Sequence, residues 1–351
     1  MTPKRIFLTG ASGCIGHYIT EALIQETNHE LYLLVRNPGK LGFDYEARPG
    51  ITILQGDLRQ IERFGELLKT MDVAVLAATA WGGPQESFDI NVVKTIRLME
   101  LLDPMVCEQV IYFSTASLLD RNNNLLKEAR QLGTEYIRSK YDCLTRLSKL
   151  AIAHNITTLF PTLVLGGEPN KPYSHISSGI ADVVKWIDLI RWFKADASFH
   201  FIHARDIAQV VRYLIDNPRQ PDFTVEDTRA LEDTRFSDRL ILGNQRLTVN
   251  QAVEEACAYL GKKIYFRIPL TPWLADILIA LFQIQMSAWD RFSLNYRHFT
   301  HQDPINPGTF GLPTYCATLT DVLRISGISQ TKKWKTPPVN AETSEQLGGG
   351  E

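Results

Sequence analysis

The sequence predicts an α/β chain built on a doubly wound parallel sheet, a Rossmann fold with a smaller C-terminal substrate-binding lobe. Three observations lead there. Nearly continuous apolar runs alternate with helical stretches through the first half, the pattern of strands covered on both faces. The first run hands over to a helix through "TGASGCIG", with Gly10, Gly13 and Gly16 three apart. After Gly166 the alternation gives way to a loop rich in Pro, Ser and Gly, "GEPNKPYSHISSG".

The elements follow in order. "KRIFLTG" is the first strand and 14–26 the first helix. "HELYLLVRN" and "ITILQGD" are the second and third strands, with a helix near 60–70. "DVAVLAATA" is the fourth, followed by a helix from Gln85 to Leu102. "EQVIYFSTA" is the fifth, followed by a long helix from Thr134 to His154, and "ITTLFPTLVLG" the sixth. A helix carrying Trp186 and Trp192 comes next, then a strand and helix in "ASFHFIHARDIAQVVRYLIDNP". "RLILGNQRLTVNQAVEEACAYLGKK" reads as strand, turn and helix, and "KIYFRIPL" as a short strand. The division expected is a dinucleotide-binding domain over 1–166, rejoined by 198–215 and 238–248, a lobe over 167–335, and a disordered tail over 336–351.

Bulk properties exclude several classes. A net charge of −2 gives no reason to expect a nucleic-acid partner. The five cysteines are scattered without a C-x-x-C pair, so neither a disulfide framework nor a metal site is expected. The start "MTPKRIFLTG" has no signal-peptide pattern, and a cytoplasmic location is expected. "WLADILIALFQIQMSAW" over 273–289 carries Asp276, Gln283 and Gln285 and is shorter than the roughly 20 apolar residues of a membrane span. It reads as an amphipathic helix packed on the domain, with peripheral membrane contact as the lesser reading.

The chemistry concentrates at strand ends. Thr9, Gly10, Ser12, Gly13, Cys14, Ile15 and Gly16 form a T-G-x-x-G-x-x-G turn. Such a turn lets a pyrophosphate approach backbone N–H groups at a helix start. Arg36 ends the second strand, with Lys40 close behind. A cation there suits a 2′-phosphate, which favours NADP, with NAD as the alternative. Asp57, followed by Leu58, either accepts from an adenine amine or caps the next helix. Tyr136 and Lys140 lie four apart in "EYIRSKYD" and share a helix face. The ammonium is expected to lower the phenol pKa and make the pair a proton donor or acceptor. Ser114, Thr115 and Ser117 cluster after the fifth strand, where a hydroxyl steadies a substrate oxygen or simply caps the loop.

With these residues the chain resembles the extended short-chain dehydrogenases/reductases, the group that includes the NAD-dependent epimerase/dehydratase family. The likeness spans about 4–330 and includes the glycine turn, "GDL", "AATA", Asn91, "FSTAS", "YIRSK", "PTLVLG" and "FIHARDIA". The resemblance implies Tyr136 as the catalytic tyrosine, Lys140 as the lysine that also holds the nicotinamide ribose, and Thr115, or failing it Ser114, as the catalytic hydroxyl. It implies a cofactor lining of Ala77, Ala78 and Thr79 and of Pro161 to Val164. Asn91 becomes a structural tie, Asp206 the cap of its helix, and the long helices after strands four and five a possible homodimer interface.

Departures narrow the substrate. The sugar-nucleotide members often read R-x-x-N-x-x-G at the sixth strand, whereas this chain has Phe160 and Leu163 there; Phe199 replaces a later arginine. A diphosphate leaving water needs charged partners. Tyr173, His175, Trp186, Trp192 and Phe193 in the lid, and Trp81 after "AATA", suit an apolar or aromatic small molecule, although aromatics at helical spacing are more often core. His200 and His203 read as hydrogen-bonded core histidines. The function expected is an NAD(P)-dependent oxidoreductase acting on a carbonyl or alcohol. The alternatives are a nucleotide-sugar epimerase/dehydratase with retained NAD, and a cofactor-binding scaffold without turnover.

Overall fold

The computed structural model describes residues 2–218, 238–281 and 285–328. Six parallel strands open the chain: β1 (Arg5–Thr9), β2 (Glu30–Val35), β3 (Ile51–Gln55), β4 (Val73–Leu76), β5 (Gln109–Phe113) and β6 (Ile156–Pro161). The short strands β7 (Leu163–Leu165), β8 (Phe193–Lys194), β9 (Ser198–Phe199) and β10 (Phe201–His203) follow. β11 (Asp238–Leu242) returns to pair with β6, so the main sheet has the order β11-β6-β5-β4-β1-β2-β3. The order reverses at β1, which places a crevice between the carboxyl ends of β1 and β4. β12 (Leu247–Thr248), β13 (Ile268–Pro269) and β14 (His298–Phe299) lie in small separate sheets.

Strand periodicity builds the two faces. Phe7 of β1 belongs to one apolar layer, while Ile6 and Leu8 belong to the other. The second layer is closed by helices α1 (Cys14–Glu26) and, from late in the chain, Ala204–Asp216, which pack on each other. Each large side chain fully buried there contributes roughly 1.5–3 kcal/mol.

The opposite layer is closed by shorter helices. After α2 (Gly65–Leu68), the β4 crossover holds α3 (Pro84–Phe88), a π-helical stretch Asp89–Lys94, and α4 (Thr95–Leu101). The widened turn brings Ile90, Asn91 and Val92 inward in succession. Then come α5 (Lys127–Leu132) and α6 (Glu135–Leu144). The helix expected to reach His154 ends at Leu144 and continues as 3-10 turns. Buried positions 137, 140, 143, 144 and 147 keep helical spacing, and then jump to Ile152 and Ala153. No continuous helix presents both sets to one core. The sixth strand also divides. Thr162 still donates to the Leu242 carbonyl at 3.0 Å, but Leu163 donates to His200 at 3.2 Å and starts β7 beside β10. Pro161, which has no N–H, stands at the break.

Helix formation begins earlier than expected after Gly166: Ser174 caps α7 (His175–Lys185), and α8 is Ile187–Ile190. Trp186 lies between them and Trp192 beyond. The helix Ala204–Asp216 is α9 and is capped by His203, whose Nδ1 accepts from Arg205 at 3.1 Å. Asp206, expected as that cap, instead accepts from the backbone N–H groups of Tyr315 (2.7 Å) and Cys316 (3.1 Å). Late helices α10 (Val249–Tyr259), α11 (Pro272–Leu281), α12 (Ala288–Tyr296) and α13 (Leu319–Ile325) follow. α8, α10 and α13 enclose a small core of Ile187, Val253, Cys257 and Leu323. The single helix read over 273–289 is two, α11 and α12, the second begun by a Ser287–Asp290 capping box. Among the described residues no helix is long and apolar enough to cross a membrane. The tail 336–351 lies outside the described residues.

Candidate active site

The glycine turn closes on the loop after β4. Gly10 has φ +83°, and a Cβ there would stand 2.6 Å from the Ala78 nitrogen. Ala78 N–H donates to the Thr9 hydroxyl at 3.3 Å. A Cβ on Gly16 would collide with the Gly10 carbonyl. These two glycines are thus demanded by packing of the chain on itself. Gly13 differs: it is exposed, and its Cβ would meet only the Gly10 oxygen, at 3.4 Å. It begins α1, whose first turn has neither a side-chain cap nor an acidic residue. The positive helix end is open to an anion. Ser12, Cys14 and Ile15 are half-buried around it. Burial pushes the Cys14 thiol up to about 12, so it stays protonated. The buried Ser114 hydroxyl has no protein partner. A phosphate-bearing dinucleotide fits this donor set.

The remaining expected contacts line the carboxyl ends of the sheet. Arg36 is exposed one residue past β2, and Lys40 is exposed in the next turn. Asp57 takes the capping role: its carboxylate accepts from Arg59 N–H at 2.8 Å and faces the Arg59 guanidinium at 3.5 Å. Leu58 is buried beside it. Ala77 and Ala78 pack on Gly10, and the exposed Thr79 donates to Asn91 at 3.1 Å. Pro161 and Val164 flank the break between β6 and β7. Among the described residues no group of three His, Cys, Asp or Glu is placed to hold a metal.

Thr115, Tyr136 and Lys140 come together. Thr134 caps α6 by accepting from Ile137 at 3.3 Å, which sets Tyr136 and Lys140 on the face toward β5. Lys140 is 2% exposed, and its ammonium donates to the Phe113 carbonyl at 2.7 Å. It lies 5.1 Å from the Tyr112 ring centre and 5.9 Å from that of Tyr136. Burial pulls its pKa down to about 8. Burial also raises the Tyr136 phenol above its ordinary value, against a hydrogen bond with the Thr115 side chain that lowers it. The expected lowering of the phenol by Lys140 is therefore reversed. The ammonium donates one N–H to Phe113, and the tyrosine ring is covered. Ser117 is occupied with Thr115, its N–H and hydroxyl each 3.3 Å from Thr115 Oγ1.

The cover is Trp81. Its indole stacks on Tyr136 with ring centres 3.9 Å apart and planes 19° apart, and lies near-parallel to His175 at 5.8 Å. Neither contact was legible beforehand, since three distant segments supply the rings. Ser139 was also missed. Asn91, fully buried, donates to Ser139 at 2.9 Å and to the Ala80 carbonyl, and accepts from Ala80 N–H and Thr79. Its need for partners was the available signal. Of the apolar replacements, Phe160 is buried in β6, Phe199 is half-buried in β9, and Leu163 is 40% exposed at the start of β7. His200 accepts from His301 N–H at 3.2 Å and pairs with the Asn244 carbonyl at 2.8 Å, in the core.

Comparison with known proteins bears on the fold and the family. None of the curated proteins matches the chain. Among solved structures, it is similar to the Bordetella bronchiseptica enzyme WbmG in complex with NAD and UDP (TM-score 0.58, 13% identity, 93% of this chain and 94% of that one). It is similar to UDP-glucose-4-epimerase from Stenotrophomonas maltophila with bound NAD and formylated UDP-arabinopyranose (0.57, 18%, 93% and 98%). It is also similar to a UDP-N-acetylglucosamine 4-epimerase from Methanobrevibacter ruminantium (0.54, 17%, 78% and 87%). At such identities the likeness is one of fold. The family model of the NAD dependent epimerase/dehydratase family matches residues 6–225, and the chain belongs to that family.

Proposed function

We propose that the chain is an NADP-dependent oxidoreductase that reduces or regenerates a carbonyl group on a small, partly apolar substrate. The observation that carries this is the meeting of the Tyr136 phenol, the Thr115 hydroxyl and the buried Lys140 ammonium beside the glycine cradle. A bound nicotinamide supplies the hydride donor or acceptor. Tyr136 moves the proton between its phenolic oxygen and the substrate oxygen, and Thr115 orients that oxygen. A phenol held protonated by burial is a donor at neutral pH, which suits carbonyl reduction. Lys140, anchored on Phe113, keeps two further N–H donors for the ribose. Arg36 at the end of β2 supports a 2′-phosphate. The exposed Leu163 supports an apolar substrate over a diphosphate.

The matched structures hold NAD with UDP or a UDP-sugar, which keeps the epimerase as the competing reading. The test is deuterium transfer from reduced, deuterated dinucleotide to a panel of ketones, with Tyr136→Phe alongside. Label in the alcohol product, lost by about 10²-fold or more in the variant, supports the oxidoreductase. UDP-sugar interconversion without net dinucleotide consumption overturns it.

A further inference from the structure

Trp81 is 61% exposed at the mouth of the site, although burying an indole is favourable. The chain on both sides of it is nonetheless fixed. Ala80 N–H donates to Asn91 at 2.8 Å, and its carbonyl accepts from Asn91 at 2.9 Å. The Gly82 carbonyl accepts from the Ser87 hydroxyl at 2.8 Å. Asn91 and Ser87 are themselves buried, at 0% and 1% exposure. Two buried polar side chains thus hold in place the backbone around one exposed aromatic residue.

The same asparagine ties this loop to the chemistry. Asn91 donates to Ser139, and Ser139 donates to the Tyr136 carbonyl at 2.8 Å. Trp81 and Tyr136 are therefore held in register through a short buried hydrogen-bond chain, and their rings stack at 3.9 Å. A substrate oxygen that reaches the Tyr136 phenol lies beside the indole stacked on that tyrosine. His175, the first residue of α7, lies near-parallel to that indole at 5.8 Å and brings that helix to the same place.

We propose that Trp81 is a fixed aromatic platform that selects substrates whose carbonyl or alcohol is attached to a flat, apolar ring. It rests on the oxidoreductase reading of the site and adds the substrate class. A rigid, preplaced ring loses little freedom when a second ring stacks on it. Offset stacking strengthens binding by about 2- to 10-fold beyond the area it buries. The indole is chosen for its face, so phenylalanine should serve in part and alanine should not.

The test measures binding apart from turnover. Ligand-observed NMR titrations of the full chain, with and without saturating NADPH, would compare acetophenone, cyclohexyl methyl ketone and UDP, for the wild type, Trp81→Ala and Trp81→Phe. The expected result is a preference for acetophenone over its saturated counterpart, reduced by about 2- to 10-fold in Trp81→Ala and largely kept in Trp81→Phe. Equal binding of the two ketones, binding of neither, a preference unchanged in Trp81→Ala, or a Trp81→Phe as weak as Trp81→Ala overturns the platform. UDP binding tighter than either ketone and dependent on Trp81 also overturns it, in favour of a nucleotide. The two readings fail separately. A Trp81-dependent ring preference without any deuterium transfer leaves the platform and removes the oxidoreductase. Ketone reduction without ring preference does the reverse.

Discussion

Lys140 carries its charge at a penalty that can be read out. The ammonium is buried with one carbonyl partner, and burial pulls its pKa from 10.5 to about 8. Between those values the unfolded chain binds the proton more readily than the folded one. Stability therefore rises with pH across that window. The full change is about 3 kcal/mol. Denaturant unfolding of the wild type and Lys140→Met, compared from pH 7 to 10.5, should show the wild type gaining on the variant above pH 8. A constant difference would contradict the assignment. At this scale the sequence was informative about identity and silent about environment. The i, i+4 spacing named Tyr136 and Lys140. The direction of the Tyr136 shift depends on which groups cover it, and Trp81 comes from a loop 55 positions away by the numbering.

Elements divide the glycines into two kinds. Gly16 faces the Gly10 carbonyl and Gly10 faces Ala77 and Ala78, whereas Gly13 borders open space at the uncapped start of α1. Gly16→Ala should lower the melting temperature strongly. Gly13→Ala should keep the folding stability within about 1 kcal/mol of the wild type while weakening dinucleotide binding. Thermal melts and nucleotide titrations of the two variants check this, and equal loss of stability in both would contradict it. Helix α9 gives a second expectation. Its cap His203 is buried between Tyr18 and Tyr315, with Nε2 unpartnered, and burial pulls its pKa from 6.5 to about 4. A lowered folded pKa means stability is intact above pH 6.5 and lost as pH falls toward 4. His203→Asn keeps a capping side chain and does not titrate. The wild type should lose roughly 3 kcal/mol relative to it between pH 6.5 and 4, as followed by urea unfolding. Strand identity was legible from apolar runs, because a parallel sheet buries both faces. The early end of α6 and the break at Pro161 were not, because both follow from which core each turn meets.

The whole molecule joins these elements over distances that local pattern cannot show. Asp206 reaches the backbone of Tyr315 and Cys316, more than 100 positions on, and so anchors the late chain onto α9. β11 pairs with β6 across the chain from Thr157 to Asp238. The sequence pattern disclosed the sheet and the glycine turn, whereas the cap of α9 and the stacking of Trp81 on Tyr136 required the assembled fold. That assembly leaves Arg36 exposed at the carboxyl edge of β2, next to the strand that opens into the glycine turn. The proposed oxidoreductase depends first on which dinucleotide binds beside Arg36. Purified protein, checked for carried-over nucleotide, should be titrated with NADPH and NADH, for the wild type and Arg36→Asp. Tighter NADPH binding that the substitution abolishes is the predicted result. NAD that will not dialyse away, with NADH bound more tightly than NADPH, would contradict it and restore the epimerase.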